Sequence, residues 1–200
     1  CIAAICYPLV IAPPASAADA KGFFALDGGG AAECKTFLEA RKADDKRALN
    51  HFGGWLDGYI SASNRYTADT YDLTPWQITD VLLLVSRYCE NYPNDRVGVA
   101  ADNLILSLTP HRLTAQSSKI RAGSETRGVV LYREVMRRAQ QGLKEQGFYT
   151  GPIDGNYGDA MKKAIIAFQE KNGLSASGLP DQEILFRLLP LDKPAGKQAN

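Results

Sequence analysis

Gly147-Phe148-Tyr149-Thr150-Gly151-Pro152-Ile153-Asp154-Gly155-Asn156-Tyr157-Gly158 is the stretch on which the reading of this chain turns. It separates two segments with helical periodicity. Glycine and proline at this density between helices mark a loop of fixed geometry, not a flexible spacer. Gly151-Pro152 and Asp154-Gly155 each carry turn chemistry, proline presetting φ and glycine permitting positive φ. Phe148, Tyr149 and Tyr157 put aromatic surface around those turns. A rigid aromatic loop held between helices is a candidate binding lip.

Outward from the loop, Leu131, Val135, Ala139 and Leu143 recur every four residues, with Met136 broadening the stripe. They predict an amphipathic helix from near Val129 to Gln146, ended by Gly147. On the other side Tyr157, Met161, Ile165 and Phe168 predict a second helix to about Lys171, stopped by Asn172-Gly173. Gly178 and Pro180 introduce a short third helix with Ile184, Leu185 and Leu188 as its apolar residues. The tail, residues 191–200, is expected to be disordered.

Upstream, residues 109–128 are polar and basic, punctuated by Pro110, Gly123 and Gly128. They read as an interdomain linker. Residues 31–108 read as a helical unit. Ala32 to Ala48 has helical spacing, His51-Phe52-Gly53-Gly54 interrupts it, and Trp55 resumes it to about Asn64. Thr74-Pro75 supplies an N-cap and first-turn proline for a helix through Val81, Leu82, Val85 and Cys89. Asp95 is the expected cap of another, through Ala100, Leu104 and Leu108. No strand is expected, so the fold class is all-α, two small helical domains joined by a linker. Trp55, Tyr59 and Trp76 fit a core better than a binding face. His51 and His111 are the only histidines, too few for a metal-dependent hydrolase.

Residues 1–20 are of a different class. A mostly apolar run ends in small residues, with Ala15-Ser16-Ala17 or Ala18-Asp19-Ala20 as a cleavage site. This is the pattern of a secretory signal peptide, with a disordered arm as the alternative. It is too short and proline-broken to span a bilayer. Beyond it stand two cysteines, Cys34 and Cys89, which in an exported chain read as a disulfide; two buried free thiols are the alternative. The net charge of +1 gives no electrostatic case for nucleic acid or an anionic membrane.

Residues Gln141, Leu143, Gly147-Phe148-Tyr149, Gly151-Pro152-Ile153-Asp154-Gly155 and Tyr157-Gly158 together resemble the three-helix peptidoglycan-binding domain carried by many cell-wall enzymes. Ala164-Ile165, Ala167-Phe168-Gln169, Gly173-Leu174 and Gly178 continue the pattern. The likeness covers about Val130 to Leu189, essentially all of a domain read as residues 129–190. Met161 and Ile184 depart from it, standing where such domains commonly have threonine. The resemblance implies docking on peptidoglycan. Aromatic rings pack on sugar faces and loop groups hydrogen-bond polar atoms, so the candidate contacts are Phe148, Tyr149, Gly151, Asp154, Gly155, Asn156, Tyr157 and Gly158. The competing reading makes Phe148 and Tyr157 core plugs and Asp154-Gly155 a plain turn.

A second resemblance is carried by Cys34-Lys35-Thr36-Phe37-Leu38, by Trp55 with Gly58-Tyr59-Ile60, and by Leu73-Thr74-Pro75 with Gln77. It continues through Val85, Tyr88-Cys89, Pro93, Asp95-Arg96, Ala100 and Leu104. These look like the small periplasmic helical proteins that group HdeA-type acid-stress chaperones with Tai-type immunity proteins of type VI secretion. The cysteine those families often carry between Asn64 and Asp72 is missing. The resemblance implies an exported scaffold with a protein partner bound through residues 31–108.

No Ser-x-x-Lys, His/Glu metal motif or Ser-His-Gly-x-x-x-x-Cys segment occurs. The expectation is therefore a periplasmic, wall-associated protein with no catalytic residue, metal or cofactor. A wall-tethered chaperone or immunity protein is the alternative, and a wall-remodelling hydrolase a third.

Overall fold

The computed structural model describes residues 19, 24–74 and 78–188. The expected signal peptide (Asp19 apart), Pro75 and Trp76, and the expected tail lie outside the described residues. Four helices come first: α1 (Cys34–Lys42), α2 (Lys46–Tyr66), α3 (Ile78–Asn91) and α4 (Val97–Leu108). A hairpin follows, β1 (Lys119–Gly123) and β2 (Gly128–Tyr132). Three helices complete the chain, α5 (Arg133–Glu145), α6 (Asp159–Lys171) and α7 (Gln182–Leu188).

The break between the first two helices falls at Ala43–Asp45, not at the expected His51–Gly54. Asp45 explains it. Its carboxylate accepts from the backbone N–H groups of Arg47 and Ala48, satisfying two donors that open a helix. Gly53 and Gly54 are then absorbed into a continuous α2, whose buried Phe52, Leu56 and Ile60 outweigh about 1 kcal/mol per helical glycine. The cap before α4 is Arg96 rather than Asp95. The Asp95 carboxylate instead accepts from the Tyr88 hydroxyl at 2.8 Å.

The helical unit closes around Phe37, Leu56, Val85, Val97 and Leu108, all buried, with Phe37 and Phe52 meeting edge to face at 5.1 Å. Cys34 on α1 and Cys89 on α3 form the disulfide, their Cα atoms 5.0 Å apart. Trp55 stacks on Tyr59 at 4.9 Å, and a Cβ on Gly30 would fall 2.0 Å from the indole Cζ2. Glycine at position 30 is therefore required for the chain to lie against the indole. The Tyr59 hydroxyl donates to Asp102, whose carboxyl pKa is raised by burial. Both rings are half-buried and pack against that core.

The expectation of an all-helical fold is corrected at residues 119–132. Lys119 pairs with Tyr132, Arg121 with Val130 and Gly123 with Gly128 in an antiparallel register. Ala122 and Leu131 are buried on the inner face, with Ile120 and Val129 packed beside them, while Lys119, Arg121 and Val130 are exposed on the outer one. Val129 thus belongs to a strand, and α5 opens at Arg133. The alternation that built the strands was hidden by the polar turn Ser124–Arg127.

The segment read as a linker is also fastened at its start. Leu113 is buried in the second core, and it exchanges backbone hydrogen bonds with Asp72 and Tyr71 of the α2–α3 loop at 2.7–3.2 Å. The Arg112 Nε donates to the Asp69 carbonyl, and the Arg138 guanidinium donates to the carbonyls of His111 and Arg112. Tyr71 meets Tyr132 edge on at 6.1 Å. Burial, with a hydrogen bond to Asp72, pushes the Tyr132 hydroxyl up to about 12. No helix of the described residues is long and apolar enough to cross a membrane.

Candidate functional site

The α5–α6 loop is organised by a residue the sequence reading did not single out. Gln140 is fully buried on α5, one turn beyond Met136 on the same face. Its Oε1 accepts from the Gly155 N–H at 2.8 Å, and its Nε2 donates to Asp154 Oδ1 at 2.9 Å and to the Asn156 carbonyl at 3.0 Å. One side-chain amide thereby fixes three consecutive loop residues. The signal was available: a glutamine on the apolar face of an amphipathic helix must find polar partners when buried.

Gly155 sits at φ +74, and a Cβ there would lie 2.5 Å from Arg133 Cγ and 2.8 Å from the Arg133 carbonyl. Only glycine fits both the backbone angle and the space. Asp154 closes the turn by accepting from the Asn156 N–H at 2.9 Å and from its side-chain amide at 2.8 Å. Asn156 in turn accepts from the Arg133 guanidinium.

These donors, Gln140 foremost and then Asn156, lower the Asp154 carboxyl pKa to about 2. The carboxylate form is the one the fold holds, so its contribution is full above the ordinary value of 3.8 and fades as pH falls through about 2. Acid titration between pH 4 and 2, followed by urea unfolding, should show this loss in the parent chain. Asp154→Asn should abolish that component.

The aromatic candidates are largely committed to packing. Tyr149 is 6% exposed, and its hydroxyl donates to the Pro152 carbonyl at 3.0 Å. A Cβ on Gly151 would stand 2.5 Å from that hydroxyl oxygen, so the turn wraps directly over the ring. Phe148 is half-buried, edge to face with Phe168 at 5.4 Å, with the Lys171 ammonium 5.9 Å from its centroid. Tyr157 is half-buried and donates to the Gly178 carbonyl at 2.8 Å. Gly158 is exposed and stands at the N-cap of α6. Asp154, Gly155 and Asn156 are thus brought together around Gln140, while Phe148 and Tyr157 are directed to separate contacts.

A second loop repeats the device. Gln169, buried on α6, accepts from the Gly178 N–H at 2.8 Å and donates to Ser177 Oγ at 2.8 Å. Gly178 also has positive φ, +70. Met161 and Ile184, the two departures from the threonine pattern, are buried core residues, and Asp181 Oδ1 accepts from the Ile184 N–H at the head of α7. Among the described residues no group of three His, Cys, Asp or Glu side chains could hold a metal ion.

Residues 133–188 thus form a small three-helix module whose two loops are latched by buried glutamines. Residues 133–188 match the family model of the peptidoglycan binding domain. Over 95 residues, 46% of its length, the chain is 30% identical to the N-acetylmuramoyl-L-alanine amidase CwlM of Mycobacterium tuberculosis. Over 50 residues, 25% of its length, it is 44% identical to the localization factor PodJL of Caulobacter vibrioides. The matched stretches span 23% of the amidase and 5% of the localization factor. No solved structure matches the chain.

Proposed function

We propose that this is an exported, non-enzymatic protein of the bacterial envelope, docked on peptidoglycan through residues 133–188 and offering its helical unit to a protein partner. The observation that carries this reading is the matched domain with its Gln140-latched loop, which presents Asn156 and neighbouring polar groups in one fixed arrangement. The Cys34–Cys89 disulfide supports an oxidising, periplasmic location. The whole chain should co-sediment with purified sacculi and release neither muropeptides nor stem peptides from them. A chain left in the supernatant would end the docking assignment, and released fragments would replace the non-enzymatic reading with a hydrolase. The similarity to an amidase is what makes that second measurement necessary.

A second reading makes the helical unit the active part, a wall-tethered chaperone or immunity protein. It draws on the family likeness of residues 31–108 and on the exposed side chains of Tyr66, Leu83 and Leu106 there. Client protection at low pH or capture of a toxin, with wall binding dispensable, would favour it.

A further inference from the structure

Resting on the docking assignment, we infer that the domain grips the wall mainly through the anionic carboxylates of peptidoglycan stem peptides, using a basic strip formed by the hairpin and α5. Between residues 119 and 137 the chain places Lys119, Arg121, Arg127, Arg133 and Arg137 against only Glu125 and Glu134, although its net charge is +1. Glu134 is already held by Arg138 at 3.6 Å. Among the described residues none of the five cations has a carboxylate partner within ion-pair distance.

Backbone and side-chain contacts connect the hairpin to the start of α5. Lys119 and Arg121 share the outer face of β1, one opposite Tyr132 and the other opposite Val130. The Arg133 backbone N–H donates to the Ser118 carbonyl at 2.8 Å and its Nε to Ser118 Oγ at 3.4 Å, joining the hairpin to α5. Arg133 and Arg137 then flank Gly155, their Cγ atoms 2.5 Å and 3.0 Å from where its Cβ would be. Arg133 therefore links the hairpin to Asn156, the exposed residue of the latched turn. Asp154, in the same turn, is occupied by Gln140 and Asn156.

The chemistry of the loop favours the same ligand. Sugar faces require free aromatic faces, but Tyr149 is buried and Phe148 and Tyr157 are tied to Phe168 and Gly178. Guanidinium groups instead match carboxylates in charge and in fork geometry. The wall's disaccharide backbone would then lie beside the strip while its peptide branches make the ionic contacts.

The test compares three ligands for the whole chain: intact sacculi, sacculi whose peptide carboxylates have been amidated, and glycan strands stripped of stems. Binding should fall about tenfold or more on amidation and on stripping, and should weaken steeply between low and high salt. Arg121→Gln with Arg137→Gln, checked for an unchanged circular dichroism spectrum, should weaken binding to intact sacculi and flatten the salt dependence. Equal affinity for intact and amidated sacculi would overturn the inference while leaving wall docking in place. Retention on amidated sacculi that is lost only after removal of phosphate-bearing wall polymers would assign the strip to those polymers instead. Failure to bind intact sacculi at all would remove both readings together.

Discussion

Replacing Cys34 and Cys89 together by alanine should lower the unfolding free energy by about 4 kcal/mol on the chain-entropy model. The bridge closes a sequence separation of 55 residues, and both half-cystines are fully buried between α1 and α3. Without it the unfolded chain regains the freedom of that loop, while Phe37, Val85 and Val97 keep most of their packing. Urea unfolding of the parent and the double variant, with and without reductant, measures the difference. A loss below about 1 kcal/mol would mean that the unfolded chain already holds α1 near α3, so that the bridge restrains little.

Gln140→Leu should cost about 3 kcal/mol, a loss large for a substitution of similar volume. The leucine fills the space but leaves the buried Gly155 N–H without an acceptor and withdraws the donor shared by Asp154 and the Asn156 carbonyl. Gln140→Glu gives a sharper comparison. It keeps an acceptor for Gly155 but sets a buried carboxylate against two other acceptors. Its pKa must rise, so the variant should be most destabilised at neutral pH and recover as the new carboxyl protonates. Chemical denaturation at pH 5 and pH 7 distinguishes the two cases. If Gln140→Leu unfolds like the parent, the latch is not what orders the loop.

The C-terminal helices could be read in the sequence because period and punctuation agreed. Val135, Ala139 and Leu143 set the stripe, and Gly147 and Asn172-Gly173 marked the stops, while Leu131, one period earlier, fell in the strand. The loop's turns were legible for the same reason. Its interior was not, because burial of Tyr149 under Gly151 and the reach of Gln140 across 15 residues depend on how the helices pack. The hairpin was missed although Ile120 and Ala122 alternate with Lys119 and Arg121, and Val129 to Leu131 is rich in β-branched residues. Short strands beside a polar turn imitate a linker when only composition is weighed. The break between α1 and α2 was misplaced for a different reason. Gly53-Gly54 is the stronger breaker by propensity, yet the caps on Asp45 and the apolar row of Phe52, Leu56 and Ile60 override it.

The fastening of Leu113 between Asp72 and the second core has a mechanical meaning. A free tether across residues 109–128 would let its two ends wander over roughly 25 Å. Here the backbone ladder at Leu113, the Arg138 clamp and the Tyr71–Tyr132 contact take that freedom away. On the proposed function, a partner held by the helical unit would be kept at a set standoff from the ligand of the C-terminal domain. Its effective concentration there is governed by geometry instead of by search volume.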